Sequence, residues 1–258
     1  MRICGLISGG KDSAYALYRA IKDGAEVACL ASIMPSRPDS WMFHRPLVEL
    51  TRLQAEAMGF GDRHFMIPVS GVKEAEVEEL REGLRGLKAR YDFDAITVGG
   101  VASRYQYDRF SAIARDLGVK VFDPQWGEEP EEYLRRLVRE GIVFIISQIT
   151  TAGLPERLLG VPVQDEVQVE EILSLSRRCG FHPAFEGGEA ETFVVAAPHF
   201  SRGICLRGSR VKMAEYQYAL SVSEARLCGD VVIVVDSESY LVRRRSEFLA
   251  TASRTSGT

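Results

Sequence analysis

The chain has 258 residues, with 32 Lys+Arg against 36 Asp+Glu, and its net charge of −4 argues against a protein held on nucleic acid by overall charge. Its 46% hydrophobic and 26% charged residues are globular values that exclude disorder as the main state, and no run reaches the ~18 apolar residues of a membrane helix. At roughly 150 residues per domain, one large α/β domain or two parts both fit. Short β-branched apolar runs predict strands at 3–7, 27–33, 64–69, 95–98, 119–122 and 143–149. Between them, apolar residues recur at helical spacing: Ala14, Leu17, Tyr18 and Ile21; Leu47, Leu50, Leu53 and Ala57; Val77, Leu80, Leu84 and Leu87; Phe110, Ile113, Ala114 and Leu117. Strands apolar on both faces and separated by helices belong in a parallel sheet covered on both sides, with ligands at the C-terminal strand edge.

A polar break at 127–130 suggests a junction, giving domains 1–126 and 127–258. Beyond it the pattern predicts helices at 131–140 and 169–179. Strands follow at 193–196, 204–206, 219–222 and 231–235, and then a frayed end. The Glu-rich run 74–82 and the triplet Arg243-Arg244-Arg245 are expected on solvated faces. The N-terminus enters an apolar run with no cleavage pattern, so no leader is expected. Five cysteines (Cys4, Cys29, Cys179, Cys205, Cys228) contain no C-x-x-C pair. This makes a disulfide framework and a zinc ribbon poor readings and a reducing cytoplasm the better one.

The chemistry concentrates in Ser8-Gly9-Gly10-Lys11-Asp12-Ser13, directly after the first strand and before the first amphipathic helix. Two glycines let the backbone approach an anion, and the helix start supplies amides and a positive dipole end. Ser8 and Ser13 add hydroxyls and Lys11 a point charge. Helix capping by Asp12 or Ser13 would need neither glycine nor lysine. Gly5 to Lys11 spells G-x-x-x-x-G-K, but Asp12 stands where that motif needs Ser or Thr for magnesium. Ser8-x-x-Lys11 lacks the K-T-G and S-D-N partners of penicillin-interacting enzymes. Three further segments carry candidate groups. They are Ser40-Trp41-Met42-Phe43-His44, Gly99-Gly100-Val101-Ala102-Ser103-Arg104-Tyr105-Gln106 and Glu186-Gly187-Gly188-Glu189-Ala190-Glu191-Thr192.

The loop resembles the S-G-G-x-D-S pyrophosphate loop of the N-type ATP pyrophosphatases. Together with the three segments, in this order, it resembles the diphthine–ammonia ligase family from residue 1 to about residue 200. The resemblance implies a Rossmann-like (HUP, adenine nucleotide alpha hydrolase-like) parallel sheet and a smaller C-terminal α/β domain. It implies ATP and Mg2+ as cofactors and adenylation of the carboxylate of diphthine on translation elongation factor 2. Ammonium then supplies the amide nitrogen, with no nucleic-acid or membrane partner. Catalytic roles are expected of Lys11, Asp12, Glu186, Glu189 and Glu191, with Asp12 on the metal. Ser8 to Ser13, Ile33, Met34, Gly99 and Gly100 are expected to hold the nucleotide. His44, Ser103, Tyr105, Gln106, Gly187, Gly188 and Thr192 are expected to hold the substrate. The glutamates suit collection of ammonium and uptake of its proton, with a second magnesium site as the competing role. Where the family pattern has an acidic residue before Pro198, this chain has Ala197. Two other functions stay open: adenylation of a transfer-RNA base, which predicts a basic surface and catalytic cysteines, and a nucleotide sensor without turnover. Whether the chain works as a monomer or a homo-oligomer is open as well.

Overall fold

The structure is a computed structural model and describes residues 1–36, 47–100 and 104–243; the 40–44 segment with His44, Ser103, Arg244 and Arg245 lie outside it. The chain divides into two compact units, one of Met1–Glu56 with Phe60–Glu128, the other of Ala57–Gly59 with the chain from Glu129 onward.

In the first unit β1 (Arg2–Leu6), β2 (Glu26–Pro35), β3 (His64–Val69), β4 (Ala95–Thr97) and β5 (Lys120–Phe122) form one sheet. Its order is β3-β2-β1-β4-β5 and every neighbouring pair is parallel. The predicted runs become strands because both of their faces are covered. Cys4 and Leu6 face a core that includes Leu80 and Leu84 of α3 (Ala75–Tyr91) and Phe110 and Ile113 of α4 (Arg104–Asp116). On the opposite face Gly5 lies under Leu17 of α1 (Lys11–Lys22), so close that a Cβ there would meet the Leu17 side chain at 3.0 Å. The Glu-rich run departs from its expected exposure at Glu76, which is fully buried, while Glu78 and Glu82 stay exposed. Strand order reverses between β1 and β4, and the C-terminal ends of two such strands open the crevice where ligands of parallel sheets settle.

The second unit opens with α5 (Pro130–Arg139), started by Pro130 at its first turn and by the Glu129 carboxylate accepting the amides of Glu131 and Glu132. A seven-stranded sheet follows, in the order β12-β11-β9-β10-β6-β7, with β8 paired to β6. Its strands are β6 (Val143–Ile149), β7 (Pro162–Val163), β8 (Ala190–Ala196), β9 (Gly203–Ala214), β10 (Gln217–Cys228), β11 (Val231–Val235) and β12 (Glu238–Val242). All of its strand pairs are antiparallel except β11 with β9. Helix α6 (Glu166–Cys179) begins at a capping box of Asp165 and Gln168 and ends at Gly180 in the left-handed conformation. A smaller α/β domain was expected; the second unit instead carries the wider sheet, seven strands against five, and its β9 and β10 each run for 12 residues. That hairpin also holds one disulfide that the cysteine reading did not expect, a single bridge rather than a framework. It brings Cys205 and Cys228, 23 residues apart, to a Cα separation of 6.0 Å, where they form a disulfide. Cys4, Cys29 and Cys179 are free thiols.

Candidate functional site

Between β1 and α1 the chain turns through Gly9 at φ 94°, a conformation side-chain-bearing residues rarely adopt. Gly10 is the N-cap of α1 and no side chain caps the helix, so Asp12 and Ser13 are not there as caps. The two serines stitch the loop to itself. Ser13 Oγ accepts the Ser8 amide at 3.1 Å, donates to the Gly10 carbonyl at 3.2 Å, and lies 3.1 Å from Ser8 Oγ. Lys11 is only 2% exposed, and its Nζ donates to Asp12 Oδ2 at 2.8 Å. The loop thus holds a buried cation against a half-buried carboxylate at the positive end of a helix, a setting that suits a polyanion.

Two buried side-chain amides hold this loop, and nothing in the sequence singled them out. Gln54, on α2 (Thr51–Ala57), donates Nε2–H to the Gly9 carbonyl at 3.0 Å. Gln125, after β5, donates Nε2–H to the Asp12 carbonyl at 3.0 Å. They are 2% and 0% exposed. Gly99, at the end of β4, abuts the same turn: a Cβ on it would stand 2.3 Å from the Asp12 carbonyl carbon and the Ser13 nitrogen. Gly100 neighbours Asp123, whose Oδ2 would lie 3.8 Å from a Cβ there. Residues from β1, β4 and β5 therefore converge on one loop. On β2 the last register pair with β1 is Leu6 with Ala31, and the Ala31 carbonyl accepts the Ile7 amide at 2.9 Å. Ile33 lies two residues further, so by the period of a strand its N–H and C=O point the same way, past the end of β1. Met34 points its backbone toward β3, where it pairs with Pro68.

Tyr105 and Gln106 open α4 and are half-buried. The Tyr105 ring packs against the sheet core and is covered by the Arg109 guanidinium, 3.4 Å from its centroid. Arg109 in turn pairs with Glu74, whose carboxyl it holds below the usual range. Tyr105 is thus committed to packing as well as edging the sheet.

In the second unit the glutamate motif is a turn leading into β8. The Glu189 carboxylate folds back, Oε1 accepting the His182 amide and Oε2 the Gly187 amide, both at 2.9 Å. Gly187 leaves room for this, since a Cβ there would lie 2.6 Å from Glu189 Oε1. The Glu186 amide donates to His182 Nδ1 at 3.4 Å, the Thr150 hydroxyl donates to the Gly188 carbonyl, and the Thr150 amide donates to the Glu189 carbonyl at 2.9 Å. Glu189 and His182 fix the turn, a task the sequence reading did not assign to either. Glu191 is half-buried opposite Gln148 of β6, and Thr192 is buried opposite Ile146. Among the described residues, His64 and His199 stand apart from this turn. His64 Nε2 lies 2.8 Å from Ser32 Oγ, and burial, then the charge of Arg52, lowers its pKa to about 4. Burial takes His199 down to about 3.

Among the described residues no group of three or more His, Cys, Asp or Glu forms a metal cage. Magnesium carried by phosphate oxygens needs only one or two carboxylates, and Asp12 in the loop is of the right hard-oxygen type.

Residues 1–121 match the family model of the diphthamide synthase N-terminal domain, and residues 129–226 that of its C-terminal domain. The second match begins at residue 129, where the structural units divide between Glu128 and Glu129. The diphthine–ammonia ligase of Mus musculus is 30% identical over 245 residues, covering 88% of this chain and 91% of that protein. Those of Bos taurus and Homo sapiens are 32% and 30% identical, each over 82% of this chain and 85% of the relative. Among solved structures, the biotin carboxylase subunit of pyruvate carboxylase aligns at 12% identity over 89% of this chain and 38% of that one. Its TM-score of 0.28 carries no argument about the fold. Strands β11 and β12 fall beyond the second family match, and Val231, Ile233 and Val235, all 0% exposed, extend the sheet core. With both halves matched in order and relatives aligned over most of their length, the chain belongs to the diphthine–ammonia ligase (diphthamide synthase) family.

Proposed function

We propose that this protein is an ATP-dependent, AMP-forming amide ligase that converts the carboxylate of diphthine on translation elongation factor 2 into the amide, with ammonium as nitrogen source. The observation that carries the reading is the loop from Ser8 to Ser13. A buried lysine stands at a helix start, held by two side-chain amides from other elements, at the point where the strand order reverses. A carboxylate does not react with ammonia at neutral pH because its leaving group would be oxide. In the first step a carboxylate oxygen bonds to the α-phosphorus and the bond from that phosphorus to the bridging oxygen breaks. Charge gathers on the departing pyrophosphate, where Lys11 and the α1 amides are fixed to meet it. Magnesium arriving with the nucleotide would neutralise phosphate charge, with Asp12 as its holder. In the second step the ammonia nitrogen bonds to the acyl carbon, the carbon–oxygen bond to AMP breaks, and the nitrogen sheds a proton.

Within this reading Ile33 and Met34 offer backbone groups to the base, and Gly99 and Gly100 let the nucleotide approach. Glu186 and Glu191 serve ammonium, Glu189 holds their turn, and Gly187, Gly188 and Thr192 shape it. His44, Ser103, Tyr105 and Gln106 are assigned to the acceptor. No helix among the described residues is long and apolar enough to cross a membrane, and we place the protein in the cytoplasm with its substrate. The test is incubation with ATP, ammonium and diphthine-bearing elongation factor 2. Acceptor-dependent pyrophosphate release and conversion of the modified histidine to its amide, read by mass, are expected. Pyrophosphate release that ignores the acceptor, or nucleotide binding with no release, would remove the ligase reading.

Gln125→Leu tests the loop's support. It leaves the Asp12 carbonyl without this donor, a loss of about 1–3 kcal/mol for a buried acceptor. KM for ATP is expected to rise about tenfold while that for the acceptor stays within twofold. Steady-state kinetics with each substrate varied in turn checks this, and an unchanged KM for ATP would show that Gln125 does not position the loop.

A further inference from the structure

The first unit exposes few large apolar side chains among its described residues, and one of them is a tryptophan beside the phosphate loop. Trp126, 38% exposed, follows Gln125, the residue bonded to the Asp12 carbonyl. Its indole stacks on the Tyr107 ring, with centroids 4.5 Å apart and planes 29° from parallel. Tyr107 lies in the first turn of α4 after β4, and Trp126 in the turn after β5, where its amide donates to the Asp123 carbonyl at 3.4 Å. The pair therefore stands at the C-terminal edge of the sheet, outside every group that the sequence or the proposed mechanism uses. In sequence, Asp108 adjoins Tyr107 and Asp123 and Glu128 flank Trp126, while Arg104 stands three residues before Tyr107 on α4. Arg109, a basic neighbour on α4, is already committed to Glu74 and Tyr105.

A partly exposed indole backed by a second ring, with carboxylates close by in sequence, fits one ligand class well. A quaternary ammonium donates no hydrogen bond, so a protein recognises it through the negative faces of aromatic rings and through carboxylates. We propose that Tyr107 and Trp126 form the subsite for a quaternary ammonium group of the acceptor. This rests on the proposed function, because the diphthine side chain carries a trimethylammonio group on the carbon that bears its reacting carboxylate. A cation seated on Trp126 keeps that carboxylate one carbon away, at the sheet edge that holds the phosphate loop. The pair thus selects the fully methylated acceptor and positions it.

The test compares wild type, Trp126→Leu and Trp126→Phe with two acceptors, one carrying diphthine and one the same side chain with a primary amine. Trp126→Leu is expected to raise KM for the diphthine acceptor about tenfold, the middle of the cation–π range. It should leave kcat and the KM for ATP within twofold, and Trp126→Phe should recover most of the loss. With the primary-amine acceptor, whose ammonium is also a cation but keeps its hydrogen-bonded water, the loss in Trp126→Leu should be clearly smaller. Equal loss with both acceptors, no loss with either, or a raised KM for ATP, which would mean the pair stacks the nucleotide base, overturns the subsite. A second readout does not need turnover. Tetramethylammonium should shift an indole N–H resonance that is missing from Trp126→Leu, and tert-butanol, of similar shape without charge, should not. Wild type that binds tetramethylammonium but amidates neither acceptor would fault the ligase reading and leave the subsite standing. No shift with tetramethylammonium removes the subsite.

Discussion

Lys11→Ala is expected to lower acceptor-dependent pyrophosphate release about a hundred- to a thousandfold, the cost of deleting one fixed charge donor from a preorganised site. The size follows from how Lys11 is held. Its ammonium is nearly out of water and 2.8 Å from Asp12 Oδ2, so it needs no reorganisation when charge develops on the departing phosphates. Deleting it costs the fold little. Asp12 keeps access to solvent, with 23% of its side chain exposed, and the loop backbone stays tied through Gln54 and Gln125. Alanine is also a better helix former than lysine in the first turn of α1. Thermal unfolding should therefore stay within a few degrees of wild type while AMP formation collapses. Lys11→Met, which keeps the length and loses the charge, should fall as far as the alanine variant. AMP formation near the wild-type rate in either variant would show that the loop does not grip the leaving group.

The strands of the first sheet were legible because burial on both faces writes itself as unbroken β-branched runs. Residues 64–69 were placed as observed and the other four runs of that sheet within two residues, and in the second sheet the run 143–149 was placed as observed too. The hairpin was not legible. From 204–206 and 219–222 it grows to Gly203–Ala214 and Gln217–Cys228, because its outer half is exposed. Ser209, Lys212, Ser221 and Glu224 carry no apolar alternation, and the turn at Glu215-Tyr216 puts a tyrosine at φ 59°, without the Asn-Gly or Asp-Gly signal of tight hairpins. β12 escaped for the same reason, with Glu238 and Ser239 exposed at a sheet edge. In the site, the loop was readable because its chemistry is local: glycines, a lysine and an acid in six positions. Its supports were not. Gln54 bonds a carbonyl 45 residues away and Gln125 one 113 residues away, and such contacts leave no spacing to read. Glu189 looked like one of three equivalent acids, and only the folded turn shows that its two oxygens hold amides.

Gly99→Ala is expected to damage the enzyme far more than the addition of one methyl suggests. The new Cβ would stand 2.3 Å from both the Asp12 carbonyl carbon and the Ser13 nitrogen, and 2.6 Å from the Asp12 oxygen. All three are backbone atoms, so no rotamer change relieves the crowding. The glycine's φ is not in the left-handed region, so alanine is tolerated conformationally and the penalty is steric alone. To restore ordinary contact the end of β4 and the phosphate loop must part by roughly 1 Å, and a misplacement of that size costs about a hundredfold in rate. The loop cannot simply yield, since the Asp12 carbonyl is bonded to Gln125 and the Gly9 carbonyl to Gln54. Part of the strain therefore goes into the core, where overpacking costs about 1–3 kcal/mol and lowers the melting temperature by several degrees. The control is Gly86→Ala on α3, where a Cβ meets nothing within 4 Å. It should leave turnover unchanged and stabilise the helix by about 0.5–1 kcal/mol. Melting curves and pyrophosphate release on the two variants decide the matter. Wild-type turnover in Gly99→Ala would mean that β4 does not press on the loop, and the convergence of β1, β4 and β5 on one phosphate grip would have to be abandoned.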